Sequence, residues 1–489
     1  MAQQQMKSLA KDTAIYGLSS IIGKFLNWLL VPLYTYVLAS SADYGVVTNL
    51  YSWTALMLVI LTYGMETGFF RFANSADEHA DTVYGTSMTA VGATSIIFTL
   101  LLFVFAQPVA NFLGYAANPE YIYLLGAAVA VDAFASIPFA WLRYKKRPVK
   151  FAVYKLLFVF FNIFFNLFFL IACPYLMEHA PSAVDWFYDP NYGVGYVIVA
   201  NIISTVLQTL FLIPHIIEVK FSFDGALLKK ILRYSLPLLV LGIAGIMNQT
   251  LDKILFPFIK ADGVADLGIY GATSKMALIM LMFTQAFRYA YEPFVFAQQK
   301  SKDSTLQYAL AMKYFVIVSW LIFLGMVFYL DIFKYLIRND YWQGLQVVPI
   351  VLLSFIFQGI YFNLSIWYKL VDKTMYGAWF SILGTVVILV GNFALVPLYS
   401  YWGCAWAAFA CYLVMMLVSY FVGQKYMPIA YDLRRMGIYT VSALGLYALS
   451  FLVDNDNVIL FYGYRTMLFL VFVCIMIKLD LKRLITARR

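Results

Sequence analysis

Twelve polar or charged side chains stand inside otherwise apolar stretches of this 489-residue chain: Lys24, Asn27, Glu66, Arg71, Asp132, Asn248, Gln249, Asp252, Lys253, Lys275, Gln285 and Arg288. A charge held at bilayer depth costs on the order of 3 kcal/mol on insertion scales, so each is expected to face protein or a wet cavity rather than lipid. Lys24 is the deepest, too far from either end of its apolar run for its stem to snorkel, and Asn27 lies one turn further on the same face. Cations outnumber carboxylates in the set, and they concentrate in the first two apolar segments and in their counterparts seven and eight. That lining suits recognition of an anion. Glu66, Asp132 and Asp252 are the carboxylates available for coupling or gating, Glu66 and Asp132 being also the candidates for pairing with Lys24 simply to hold helices together. Asp252 and Lys253 are adjacent, hence expected on different helix faces with different neighbours. Arg71 also reads as a headgroup anchor, and Arg288 as the partner of Glu292 four residues on. Lys155, Lys313 and Arg465 lie nearer segment ends and read as snorkelling anchors.

Motifs for bond-making chemistry are missing. His79, His179 and His215 form no HExxH pattern, the four cysteines lie in apolar runs without metal-ligand spacing, and no GxxxxGK[ST] loop occurs. The cysteines read as small core residues. No cofactor is therefore expected, a proton or sodium ion being the one candidate coupling species. The chain carries a formal charge of +9. Its basic residues sit in short loops beside apolar stretches, which argues membrane orientation and no nucleic-acid partner.

The elements that must position these side chains follow from composition. With 63% hydrophobic and 12% charged residues and a mean hydropathy of +0.79, the chain has more apolar surface than a water-facing shell could hide. About fourteen apolar segments are long enough to cross a bilayer as helices, from one beginning at Thr13 to one ending near Ile477. The fold class is thus an all-α polytopic membrane protein. Lysine and arginine collect on alternate loops: Lys7 and Lys11; Arg143 to Lys150; Lys220 to Arg233; Lys300 and Lys302; Lys369 and Lys373; Lys425, Arg434 and Arg435; and the tail from Lys478. By the positive-inside rule these loops and both termini are cytoplasmic. The loop Ser75 to Asp81 is the exception, cytoplasmic by position yet carrying Asp77, Glu78 and Asp81. Trp141, Trp342 and Trp367, near segment ends, read as interfacial belts.

Internal echoes recur at an offset of roughly 220 residues. NWLLVP at Asn27 parallels DKILFP at Asp252, FRFA at Phe70 parallels FRYA at Phe287, Trp141 with Arg143 parallels Trp367 with Lys369, and Asn166 before Pro174 parallels Asn392 before Pro397. The order divides the chain into a six-helix bundle at 1–225, a second at 226–425, and two extra helices with a basic tail at 426–489. Even numbers of spans give the halves the same topology, with a path expected at their interface. Pro32, Gly64, Gly68, Pro237, Gly242, Gly245 and Pro257 mark places to bend or to pack closely.

This layout, with GKFLNWLLVPLYTYVL, ADYG, YGMETGFFRF, DKILFPF and the stretch from YGATSK to YEPFVFA, resembles the multidrug/oligosaccharidyl-lipid/polysaccharide flippase superfamily, and within it the bacterial O-antigen and capsular polysaccharide flippases. The resemblance implies two six-helix bundles around a cationic cavity. It implies a non-enzymatic transporter in the bacterial cytoplasmic membrane that moves a polyprenyl diphosphate-linked oligosaccharide to the outer leaflet by alternating access. Its partners would be that substrate, membrane lipids and the polysaccharide polymerase machinery. Carried over, Lys24, Arg71, Lys253, Lys275 and Arg288 become diphosphate or acidic-sugar contacts, with Asn27, Asn248, Gln249 and Gln285 beside them. A cation-coupled multidrug exporter of the same fold, a lipid II flippase and, more remotely, a membrane glycosyltransferase or polymerase stand as alternatives.

Overall fold

A computed structural model describes residues 17–219, 222–298, 304–453 and 457–481. Lys7, Lys11, Lys220, Lys300, Lys302 and the tail beyond residue 481 lie outside them. Among the described residues every regular element is helical, as a chain in lipid requires when each backbone N–H and C=O must find its partner within its own segment. Eleven helices are long and apolar enough to span a membrane, or twelve counting one bent pair. Two further apolar segments fall where the first and sixth spans are expected: 17–37, interrupted at Leu29, and Val194–Leu210. The interruption follows from Pro32, whose missing N–H leaves the Trp28 carbonyl without its helical donor.

The chain divides into two compact units, Met1–Gly268 and Ile269–Arg489. The first holds α1 (17–37), α2 (Ser41–Thr62), α3 (Met65–Ala73), α4 (Ala80–Leu113), α5 (Glu120–Tyr144), α6 (Pro148–Leu167), α7 (Cys173–His179), α8 (Val194–Leu210), α9 (Ile213–Ile216), α10 (Gly225–Ile259) and the start of α11 (Val264–Met276). A capping box starts α2: Ser40 accepts from the Asp43 amide, and the Asp43 carboxylate accepts from that of Ser40. Asp224 caps α10 by accepting from the Ala226 and Leu227 amides. Between α2 and α3 the chain turns through two left-handed residues, Tyr63 (φ 30°) and Gly64 (φ 71°), so the second span is a broken helix.

Helix α10 packs antiparallel along α2 and α3. A methyl on Gly242 would lie 3.0 Å from Val59, one on Gly64 would lie 2.8 Å from the Ser235 carbonyl oxygen, and one on Gly68 would overlap the Ser235 hydroxyl. Lipid tails are as apolar as leucine, so helices in a bilayer associate through such close contacts between small residues and through interhelical hydrogen bonds. An aromatic core joins α3, α4 and α5. Trp141 lies 4.6 Å from Tyr84 and 5.5 Å from Tyr144, with Phe69 edge-on at 6.2 Å.

The second unit holds the rest of α11, α12 (Leu278–Gln298), α13 (Ser304–Phe328), α14 (Val348–Leu364), α15 (Ile366–Leu370), α16 (Met375–Tyr399), α17 (Tyr401–Tyr426), α18 (Leu433–Leu449) and α19 (Val458–Met476). Helices α11 and α12 meet at a 46° bend. The last two helices are tied to α13 at several points. Lys313 meets Asp480 at 2.5 Å, Asp480 also accepts from Arg435 at 2.7 Å and from the Tyr439 hydroxyl, and Trp320 donates to Thr440 at 3.1 Å. Near the other end of α13, Arg465 bonds the Phe328 carbonyl at 3.0 Å and Asp331 at 3.1 Å.

Several expectations change here. Lys313 is buried in an ion pair, and Arg465 is held between helices by an ion pair and a backbone carbonyl, so neither is a snorkelling anchor. Trp141 and Trp367 are 1% and 2% exposed and belong to helix-packing cores rather than to an interfacial belt. Their indoles point inward at the ends of their helices, toward bundle neighbours. Cys173, Cys404 and Cys411 are buried, while Cys474 is exposed. The acidic loop Ser75 to Asp81 has a partner: Glu78 accepts from Lys230 at 2.7 Å, which places its charge against a basic segment.

Candidate functional site

On α1, Leu18, Ile22, Phe25 and Leu29 form an exposed apolar stripe, as expected of a lipid-facing side. Lys24 is also exposed, but at 3.6 residues per turn it lies roughly 130° around the helix from that stripe. Its accessibility is therefore to a space on the bundle side of α1. One turn on, the Asn27 amide oxygen receives the Asn162 amide of α6 at 3.4 Å, and Gly23 lets α6 approach until a methyl there would sit 3.6 Å from Val159. Asn166 continues this polar seam by donating to the Asn162 carbonyl at 2.7 Å. Its echo in the other half, Asn392, makes the same bond to the Ile388 carbonyl, also at 2.7 Å, and both asparagines are fully buried.

Asp252 and Lys253 on α10 bond each other. The Lys253 ammonium folds back onto the Asp252 carboxylate at 2.9 Å and onto the Gln249 carbonyl at 3.2 Å, because a four-carbon stem spans the angle between adjacent helix positions. Asp252 is 2% exposed, so its lysine serves first to neutralise a buried carboxylate. Asn248 is buried beside it and Gln249 is exposed.

Glu66 pairs with Arg143 at the end of α5, and not with Lys24. The Arg143 guanidinium also lies over the Phe70 and Phe151 rings, at 5.0 and 5.7 Å. Arg71 sits 4.1 Å above the Tyr234 ring of α10, a cation–π seat that keeps the charge at the surface of the first unit. In the second unit Arg288 donates to Glu292 at 3.0 Å, as its spacing foretold, and Lys369 reaches the same carboxylate at 2.7 Å. Arg143 and Lys369 are the echoed cations after Trp141 and Trp367. Each closes on a carboxylate of the second span of its own half. Sequence reading assigned both only to membrane orientation, although the W-x-R and W-x-K parallel was the available signal.

Lys275 projects, exposed, from between buried Ser274 and Met276 at the C-terminal end of α11, where the helix dipole favours a cation and the chain is about to bend. Gln285 is half-buried on α12. Asp132 is half-buried at the middle of α5 and, among the described residues, meets neither a cationic nor a hydrogen-bonding partner. The described residues hold no group of three His, Cys, Asp or Glu able to bind a metal. The local pairings thus join Asp252 to Lys253 and Arg288 to Glu292, and set Glu66 against Arg143.

Three comparisons place this architecture. The chain is similar in structure to "Lipid II flippase MurJ, inward closed conformation", with a TM-score of 0.73 at 14% identity, covering 95% of this chain and 98% of that one. It is similar to an inward-facing multidrug resistance MATE family transporter of the MOP superfamily, with a TM-score of 0.63 at 14% identity over 84% and 94% of the two chains. It also resembles the MATE multidrug transporter DinF-BH, with a TM-score of 0.59 at 16% identity over 84% and 95%. At these identities the likeness establishes a fold of flippases and transporters. No curated protein matches the sequence. Residues 9–290, more than half of the chain, match the family described as "Polysaccharide biosynthesis protein". With its many apolar spans and transporter fold, the chain is a multi-pass membrane protein belonging to the polysaccharide biosynthesis protein family.

Proposed function

We propose that this protein carries a polyprenyl diphosphate-linked oligosaccharide, an O-antigen or capsule repeat unit, from the cytoplasmic to the outer leaflet of a bacterial inner membrane. The observation that supports this reading best is Lys24: a lysine deep in the first span, exposed, and turned away from the lipid-facing stripe of its own helix. A sugar headgroup cannot cross about 30 Å of hydrocarbon without hydrated, polar surroundings, whereas its lipid tail can stay in the bilayer. Lys24, with Asn27 one turn on, offers charge and hydrogen bonds to a diphosphate on that side. Lys275, Arg288, Gln285, Arg71, Lys253, Asn248 and Gln249 are further contacts in the same proposal, Lys253 and Arg288 being already partly neutralised by Asp252 and Glu292.

An inside-negative potential drives an anionic headgroup outward by about 2.3 kcal/mol per charge per 100 mV and draws an empty cationic site back, so the cycle runs without ATP. Where a proton or sodium ion is coupled, Asp132 is the carboxylate for it, since Glu66 and Asp252 already hold cationic partners. The test is reconstitution into vesicles with a fluorescent polyprenyl diphosphate sugar, scoring leaflet exchange with and without an imposed potential. Exchange that potential accelerates is expected. Wild-type protein that exchanges no such lipid would overturn the reading. Similarity to a lipid II flippase supports lipid II as a second substrate, and a parallel reaction with that probe separates the two.

A further inference from the structure

Two cations of the second unit close on a single oxygen atom. The Arg288 Nε donates to Glu292 Oε1 at 3.0 Å, and the Lys369 Nζ donates to the same Oε1 at 2.7 Å. Arg288 lies one turn before Glu292 on α12, whereas Lys369 arrives from α15, so two separate elements make the convergence. The first unit offers a comparison, because Glu66 and Glu292 are 226 positions apart and so are Arg143 and Lys369. Each half thus sets a carboxylate of its second span against a cation of its fourth. In the first unit that pair is balanced in charge, and Arg71 rests on the Tyr234 ring instead. In the second unit Arg288 joins the pair, and one carboxylate faces two cations.

A point that receives two charge-assisted donors at these distances is the position of an oxyanion. We propose that Arg288 and Lys369 form a seat for one phosphate of the cargo's diphosphate, and that Glu292 is its resident competitor, holding both cations until the diphosphate displaces it. The inference rests on the transport reading above. It adds Lys369 to the cations that touch cargo, and it gives Glu292 the task of handing cargo on.

Three properties suit the group to exchange. Its side chains are 49%, 33% and 29% exposed for Arg288, Glu292 and Lys369, so an anion reaches them without any helix unfolding. Partly exposed ion pairs are weak, which makes the carboxylate easy to displace, whereas a diphosphate brings more charge and several acceptor oxygens to the same donors. A phospholipid headgroup with one negative charge gains less from displacing Glu292, so the carboxylate screens the seat against the surrounding bilayer. When cargo departs, Glu292 returns, and two neighbouring cations are not left unpaired. Lys369 belongs to the lysine-rich loops, which puts the seat at the basic face, where cargo loads.

The experiment titrates inorganic pyrophosphate into the purified full-length protein in detergent and follows binding by calorimetry. Wild type is expected to bind it weakly. Glu292→Gln, which keeps the shape and removes the competing charge, is expected to bind it about tenfold more tightly. Lys369→Met keeps the Arg288–Glu292 pair and is expected to lose measurable binding, so the seat is tested even where the glutamine variant does not fold. A triad that only holds helices together predicts no gain in affinity. Affinity that is unchanged or lower in folded Glu292→Gln, or unchanged in Lys369→Met, overturns the proposal. Leaflet-exchange assays in vesicles then assign the anion. Glu292→Gln is expected to lower the cargo concentration for half-maximal exchange and to slow exchange at saturation, since cargo now leaves the seat slowly. An unchanged half-maximal concentration would give the seat to a lipid headgroup and overturn the cargo assignment. Because pyrophosphate binding needs no lipid-linked sugar, a wild-type protein that exchanges no such lipid, alongside tighter pyrophosphate binding by Glu292→Gln, would reject the substrate and retain the anion seat.

Discussion

Arg147 grips Glu218 through two parallel bonds, at 2.9 and 2.8 Å, and so fastens the α5–α6 turn to the segment that leads into α10. His215, buried beneath them, reaches the same carboxylate at 3.0 Å, stands within 3.4 Å of the Tyr154 hydroxyl, and offers its backbone carbonyl to Tyr84 at 3.1 Å. The bonds from Arg147, then from His215, hold the Glu218 carboxyl down at about 2. The folded value lies below the unfolded value of about 4.3, so the stabilisation is complete above that unfolded value and disappears as pH falls through the folded one. Glu218→Gln is therefore expected to be less stable than wild type at pH 7 by about 1 kcal/mol, the upper end for a partly exposed pair. Thermal unfolding in detergent from pH 7 to pH 3 should show that gap narrowing below about pH 4.3.

The buried cluster at Asp480 predicts an asymmetry. Asp480→Asn leaves Lys313 and Arg435 without their shared carboxylate and is expected to cost on the order of 3 kcal/mol, measured by thermal unfolding. Lys313→Met leaves Asp480 with Arg435 and Tyr439 and should cost distinctly less. Equal losses would mean that the cluster does not hang on Asp480.

Charge reversal at the deepest lysine separates function from folding. Lys24→Glu should lower leaflet exchange of the diphosphate-linked probe by about tenfold to a hundredfold, the range for losing one charge-assisted bond to an anion. Lys24→Arg should retain most of it. Wild-type flux in a monodisperse Lys24→Glu protein would remove this residue from the mechanism.

Two glycines of the first unit should respond in opposite ways to alanine. At Gly68 the new methyl meets the Ser235 hydroxyl and lies 2.9 Å from Ile231, so Gly68→Ala should destabilise by about 1–3 kcal/mol through overpacking. At Gly245 nothing stands within 4 Å, and helix propensity favours alanine by up to about 1 kcal/mol. Unfolding curves for the two variants should shift to opposite sides of wild type.

The helices were legible because lipid leaves the backbone little other choice, and a run of apolar residues announces each one. The intramembrane charges stood out for the same reason. What could not be read was the neighbour each charge faces, since periodicity along one helix does not say which helix lies opposite. Arg143 thus looked like an orientation marker and proved to hold Glu66, Lys313 looked like an anchor and proved to be buried on Asp480, and Lys253 was expected to reach away from Asp252 yet lies on it. Asn49 of α2, which donates to the Lys253 carbonyl of α10 at 2.7 Å, gave no signal because uncharged polar residues are common in spans. Pro257 did hold a clue, for a proline at that position vacates the carbonyl four residues earlier and calls for a donor from outside the helix.

The two clasps on α13 have a practical consequence. Lys313 and the Phe328 carbonyl are fifteen positions apart on one helix, about 22 Å along its axis, and both are bonded to the segment that carries α19. Attachment at two well-separated points resists rocking as well as sliding, so the final helix rides on α13 like a splint. A spectroscopic label near Cys474, which is already exposed on that splint, would therefore record the travel of α13 itself.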